Sequence, residues 1–328
     1  MNSRRSTLVA LIAGALAASF GAIAQFPAPG MHRIGFLGIT SAADTETRLD
    51  ALRTGLRDLG YVEGKNLAIE YRFAEGKYER LGEMAAELVS LKVGVIVTYS
   101  NVGARTAKQA TTTIPIVVAT AADFMARGLV NSLARPGGNV TGSSVFSGEM
   151  GQKRLEMIKE VIPRIKRVAY LMNPGSDLAE PNLRAILLAA KALQLEVQPF
   201  EVRSPDQFES TFAAVSRQHI AAVVIQEEPM LIANAKSVAS QVARRQLASI
   251  GYATLAEAGG LIGYGASATD MFRRAAVFVD KILKGANPGD LPIEQAMTFE
   301  LVINAKVAKA LGIKVPQSIQ MRADKVIE

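Results

Sequence analysis

The chain has 328 residues, 49% of them hydrophobic and 20% charged, with a formal net charge of +7. That length suits two domains, and that composition can fill a buried core in each. Cysteine is absent, which excludes disulfides, thiolate nucleophiles and cysteine-ligated metals.

The N-terminus, MNSRRSTLVALIAGALAASFGAIAQ, carries Arg4 and Arg5, an apolar run from Leu8 to Ile23, and Ala22-Ile23-Ala24 before Gln25. A charged start, an apolar stretch and a small-x-small site make the layout of a cleavable secretory signal over residues 1–24. The run is short and alanine-rich for a membrane anchor, and no cysteine follows to carry a lipid. The mature chain is expected to begin at Gln25, soluble and exported. Losing Arg4 and Arg5 lowers its formal charge to +5. The remaining basic residues are scattered, without the aromatic interleaving that nucleic acid would want, so no nucleic-acid partner is expected.

From Arg33 the pattern alternates strand and helix. RIGFLG reads as a strand, and the helix after it places Leu49, Leu52, Leu56 and Leu59 on one face, with Gly60 to end it. NLAIEYRF is a strand, and YERLGEMAAELVSL a helix with Leu81, Met84, Leu88 and Leu91 in one stripe. VGVIVTY, the short helix VGARTAKQATT and the strand IPIVVAT complete this half. RVAYLM then begins the same order again, through a helix at EPNLRAILLAAKALQ and further strands at LEVQPFEV, AAVVIQ and ASIGYAT. A regular βαβα series argues for a parallel sheet with helices on both faces, and two such series argue for two lobes of one architecture. RPGGNVTG at 135–142 lacks the spacing and lysine of a phosphate loop and reads as a turn leaving the first lobe. His32 and His219 are far apart and read as surface residues at the domain edges, so no metal site or catalytic triad is expected, and no cofactor.

Ligands of open α/β sheets bind beyond the carboxyl ends of the strands. Those ends are GITSAAD (38–44), YSNVG (99–103), ATAADF (119–124), MNPGSD (172–177), QEEPM (226–230) and YATLAE (252–257). They collect Ser41, Tyr99, Ser100, Asn101, Asp123, Phe124, Asn173, Ser176, Glu227, Glu228, Tyr252 and Glu257, and the nearby GGLIGYG adds Tyr264. Glu227 and Glu228 are neighbours in an extended loop and should point to opposite sides. Asn101 suits a cap for a helix beginning at Val102, while the free N–H groups of that helix start suit a carboxylate. Asp123 suits either a ligand or a cap for a helix entering ARGLVNSLAR.

Several phrases together, GLRDLGYVEGKNLAIEYRFAEGKYERL, SLARPGGNVTG, RVAYLMNP, AGGLIGYG and the closing FELVIN…RADKVIE, resemble the periplasmic substrate-binding family of ABC transporters of the tryptophan/tyrosine-binding type. The resemblance runs from about Arg33 to the C-terminus. It implies an α/β fold of two Rossmann-like lobes with parallel sheets, hinge-linked as in a type I periplasmic binding protein. Residues 31–147 with about 266–286 would form the N-terminal lobe, and 148–265 with about 287–328 the C-terminal lobe. The implied protein is not an enzyme. It is a monomer in the periplasm that closes on a small molecule, an aromatic amino acid or related carboxylate, and delivers it to the permease and ATPase subunits of the inner membrane. Tyr99, Phe124, Tyr252 and Tyr264 would enclose the ligand, Asp123 or a glutamate would take its ammonium, and the helix start after Asn101 its carboxylate. The family pattern has Asp-Pro where this chain has Asp123-Phe124, which bears on ligand identity. A ligand-sensing module for a membrane receptor would read alike. An exported enzyme would need a base–nucleophile pair that these loops do not offer.

Overall fold

The structure, a computed structural model, describes residues 30–328, so the expected signal segment at 1–24 lies outside the described residues. The first lobe is built from β1 (His32–Gly38), α1 (Ala42–Asp58), β2 (Leu67–Phe73), α2 (Leu81–Ser90), β3 (Val95–Thr98), α3 (Ser100–Ala110), β4 (Ile116–Ala122) and β5 (Val140–Val145). The second contains α4 (Ser147–Val161), β6 (Arg167–Met172), α5 (Ala179–Ala192), β7 (Glu196–Glu201), α6 (Phe208–Arg217), β8 (Ala222–Ile225), α7 (Pro229–Ala233), α8 (Ala235–Arg244), β9 (Ala248–Gly251), α9 (Ala253–Glu257) and β10 (Ile262–Ala266). The chain then returns as α10 (Ala268–Leu283) and β11 (Glu294–Gln295) to the first lobe. It finishes as β12 (Phe299–Asn304), α11 (Ala305–Ala310), α12 (Gln317–Gln320) and β13 (Lys325–Ile327) in the second. Among the described residues no helix is long and apolar enough to cross a membrane.

The sheets run β11-β5-β4-β3-β1-β2 and β13-β12-β10-β9-β8-β6-β7. All pairings are parallel except β10 with β12, which enters directly from the other lobe without a crossover helix. Central strands carry near-continuous apolar runs because helices cover both faces. Ile34, Phe36, Leu37, Val95, Ile96, Val97, Ile116, Val117 and Val118 are all fully buried. Leu49, Leu52 and Leu56 of α1 are buried in the same core, but Leu59 falls just past the helix end and is exposed. The RPGGNVTG turn stays within the first lobe and leads into β5, correcting its expected place as an exit. Gly142 there has φ +142°, and a Cβ would sit 2.0 Å from the Val118 carbonyl oxygen, so no other residue fits that strand contact.

Two further expectations are corrected. The stretch 287–295 belongs to the first lobe and not the second. Gly137 N–H donates to the Gly289 carbonyl at 3.0 Å, the Thr141 hydroxyl to that of Leu291 at 2.9 Å, Ile293 is buried in the first core, and Glu294–Gln295 pairs with Ser143–Ser144. No helix forms over ARGLVNSLAR. Residues 123–139 are turns and irregular chain, so Asp123 caps nothing. The chain crosses between lobes three times, near 145–147, 266–268 and 295–299.

Candidate ligand-binding site

A cavity of about 140 Å³ lies between the lobes, at the carboxyl ends of both sets of strands. The first lobe contributes Thr40 beyond β1, Tyr99 and the first turn of α3, and the end of β4; the second contributes Ser176, Asp177, Glu227 and Glu228. Away from the lobe crossings, three contacts bridge the lobes around it. The Tyr78 hydroxyl donates to Glu228 Oε1 at 2.7 Å, Arg105 pairs with the Asp177 carboxylate, and Arg127 Nη1 donates to the Asp177 carbonyl at 2.9 Å. The lobes are closed.

Of the residues expected from the sequence, Tyr99, Ser100, Asn101, Ser176, Glu227 and Glu228 line the cavity. Tyr99 is 3% exposed, and its hydroxyl accepts from the Ile39 and Thr40 N–H groups at 3.1 Å each. With its hydroxyl so occupied, it is the ring that the rest of the site uses. Arg48 lies over it at 5.1 Å and over Phe272 at 5.8 Å. Asn101 lies inside α3, which begins at Ser100, so it is not a cap. Its side-chain amide instead exchanges both hydrogen bonds with Ala122, at 2.7 and 2.9 Å, and clamps α3 to the end of β4. Glu227 and Glu228 do diverge. Glu227 pairs with Arg154, whose Nε donates to the Tyr264 carbonyl at 2.8 Å. Glu228 caps α7 by accepting from Leu231 N–H at 3.1 Å, and also takes Asn173 Nδ2 at 3.2 Å. Burial pushes the Glu228 carboxyl above the usual carboxylate range, and hydrogen bonds from Tyr78, Leu231 and Asn173 oppose that shift without cancelling it.

The others stand elsewhere. Phe124 and Tyr252 turn their rings into the two hydrophobic cores, because an apolar ring at a strand end gains more from burial there than from a solvated cleft. Glu257 is an exposed partner of Lys325. The Tyr264 ring stacks on Phe299, with centroids 6.2 Å apart, and only its carbonyl reaches the site residues through Arg154. Ser41 caps α1 through its side chain and Asn173 supports Glu228 and Gly175 from behind. Asp123, at φ +51°, accepts from the Ser147 hydroxyl at 3.1 Å beside a lobe crossing, outside the cavity lining.

Arg48, Tyr78, Arg154, Tyr170 and Asn182 line the cavity and were not expected. Two of them left a trace in the sequence. Arg48 falls on the Thr45-Leu49-Leu52 stripe of α1, and Arg154 lies between Met150 and Ile158 on α4, where a solvated charge would not be placed. Among the described residues no carboxylate lies within ion-pair distance of Arg48, whose Nη2 donates only to the Asp44 carbonyl, at 2.9 Å. Glu227 gives Oε2 to Arg154 and leaves Oε1 free, on a side chain 36% exposed.

The sequence model of the ABC transporter substrate binding protein family matches residues 34–327. The chain belongs to that family. A tyrosine-binding protein of Clostridioides difficile strain R20291 is 26% identical over 265 residues, covering 79% of this chain and 74% of that one. The ABC domain from Streptococcus pneumonia in complex with L-Trp is 27% identical, with a TM-score of 0.82 over 90% of this chain and 100% of that one. A conserved domain protein from Vibrio cholerae O1 biovar El Tor is 26% identical, with a TM-score of 0.85 over 90% and 99%. The two parallel-sheet lobes are those of a type I periplasmic binding protein. Members of this family are of a non-enzymatic class, generally extracytoplasmic, that binds a small molecule and interacts with a transporter permease.

Proposed function

We propose that the protein is a monomeric periplasmic receptor of an ABC importer, without catalytic activity, and that its ligand is a zwitterionic amino acid with an aromatic or apolar side chain. The charges of the cavity carry this reading: Arg48 on the first lobe, with no carboxylate partner among the described residues, lines it together with Glu227 on the second, which has one oxygen free among those residues. A zwitterion satisfies both at once and so favours the closed lobes. The first turn of α3, at Ser100, Asn101 and Val102, lines the same cavity and offers helix-start N–H groups for the ligand carboxylate. The relatives named for tyrosine and holding L-Trp support an amino acid, and the layout of residues 1–24 supports export.

Calorimetry against free, N-acetylated and methyl-esterified amino acids tests the reading. Each blocked form should bind at least about tenfold more weakly than the free one, since each loses a charged hydrogen bond. An N-acetylated amino acid binding as tightly as its parent would remove Glu227 from the site and the zwitterion with it.

Closure has its own readout. Small-angle scattering should give a radius of gyration with ligand no larger than without, and the ligand-free value should rise when the bridging contacts are cut. Ligand binding that leaves an opened variant at its larger radius would contradict a two-lobed clamp.

A further inference from the structure

Glu228 is a carboxylate that both lobes bury. It is 2% exposed, and its Oε1 takes the Tyr78 hydroxyl from across the cleft at 2.7 Å. Its other partners, Leu231 N–H and Asn173 Nδ2, belong to its own lobe and stay with it when the lobes part. Opening therefore exchanges Tyr78 for water and leaves the α7 cap in place.

The groups around this carboxylate offer no counter-charge. Tyr78, with Tyr99 behind it, faces Glu228 from the first lobe; burial and the nearby carboxylate hold the Tyr78 hydroxyl well above the usual phenol range, so it stays neutral. Glu227, Arg154 and Tyr252 surround it from the second lobe. Arg154 is paired with Glu227, and the Tyr252 hydroxyl donates to the Leu231 carbonyl. The contacts of Glu228 are hydrogen bonds alone, and among the described residues no cation pairs with it.

A carboxylate shut away from water without a cation is costly while ionised and much less so once neutral. Desolvation is the larger influence on Glu228 and raises its pKa. The bond across the cleft does not depend on the charge. A hydroxyl both donates and accepts, so Tyr78 donates to the carboxylate and accepts from the carboxylic acid. Neutral Glu228 thus keeps the bridge without the desolvation penalty of closing.

We propose that Glu228 is a proton-operated latch: the lobes close more readily when its carboxyl is neutral, so acidification shifts the ligand-free protein toward the closed form and closing takes up a proton. The proposal rests on the two-lobed clamp and not on the identity of the ligand. Its sign follows from linkage. The bias toward closure is full below the carboxyl's pKa in the open form and is lost as pH rises through its pKa in the closed form. The chain's two histidines do not compete for this role. His32 opens β1 and His219 precedes β8, at the ends of the strands away from the cavity.

The test is small-angle scattering of the ligand-free protein near pH 8 and near pH 5, on the wild type and Glu228→Gln, with thermal melts to confirm folding. The wild-type radius of gyration should fall on acidification, with the closed-to-open ratio rising at least about threefold. Glu228→Gln is neutral at every pH and should hold one radius at both. A second measurement needs no variant: calorimetry with L-tyrosine and L-tryptophan near pH 6, in two buffers of unlike ionisation enthalpy. Neither ligand titrates there, so wild-type binding should take up part of a proton through Glu228. A wild-type radius that ignores pH, a Glu228→Gln radius that follows the wild-type curve, or binding without proton uptake overturns the latch while the clamp stands. Silence of both amino acids with a radius that falls on acidification supports the latch and counts against the zwitterion reading alone. A radius that moves with neither amino acid nor pH overturns clamp and latch together.

Discussion

Arg48→Ala should weaken amino-acid binding by roughly ten- to a hundredfold and leave the melting temperature of the ligand-free protein nearly unchanged. The guanidinium has no carboxylate partner among the described residues, so its removal strands no buried acid. What it does touch is modest. One hydrogen bond reaches the Asp44 carbonyl, and the rings of Tyr99 and Phe272 lie 5.1 and 5.8 Å away, cation–π contacts worth about 0.5–1 kcal/mol at a half-exposed site. A charged hydrogen bond to a ligand carboxylate is worth more, about 1.5–3 kcal/mol, and tenfold in affinity is about 1.4 kcal/mol. Arg48→Lys keeps the charge but not the planar fork, and should fall between the two. Calorimetry and thermal melting on the same variants decide the matter. Unchanged affinity with a lowered melting temperature would make Arg48 a cover for the two rings and leave the first turn of α3 alone to hold the carboxylate.

Period and turn residues made the strand–helix alternation legible, because a strand covered on both faces must be apolar and a covering helix must be striped. Lobe membership was less visible. NPGDLPIEQ looks like a loop between domains, yet its hydrogen bonds to Gly137, Thr141 and the β5 backbone hold it to the first sheet, and backbone pairing of that kind leaves little trace in side-chain type. The site was legible to the extent that ligands gather at strand ends. Tyr99, Ser100, Ser176, Glu227 and Glu228 follow from that rule alone. It fails for Phe124 and Tyr252, since the same strand ends also close the cores and an aromatic ring there serves the core first. It also fails for Asp123, where a left-handed backbone turns the carboxylate toward Ser147. The rule cannot find Arg48, Arg154 or Asn182, because helices supply them. The usable signal was local: a charge on an apolar helical stripe is costly unless something in the fold or the ligand answers it.

Glu228→Ala should be the most destabilising change in the cleft, costing about 2–3 kcal/mol, or roughly 3–5 °C in melting temperature for a chain of this size. The carboxylate is 2% exposed, and its loss removes the α7 cap and leaves Leu231 N–H and Asn173 Nδ2 without their acceptor. A lost cap is typically worth about 1 kcal/mol, and each stranded donor adds to it. The desolvation that raises the Glu228 pKa partly offsets these losses, and it also sets the sign of the pH effect. A carboxyl whose folded pKa lies above its unfolded value favours folding below the unfolded pKa, and that contribution is lost as pH rises through the folded pKa. The difference in stability between wild type and Glu228→Ala should therefore be larger near pH 5 than near pH 8. Tyr78→Phe separates capping from closure. It deletes only the 2.7 Å bond across the cleft, and on opening Glu228 can trade that bond for water. Its melting temperature should hardly move, while ligand-free scattering should show a more open protein because one of the three bridging contacts is gone. If Tyr78→Phe leaves the scattering curve unchanged, the closed lobes rest on Asp177 with Arg105 and Arg127, and Glu228 serves the second lobe alone.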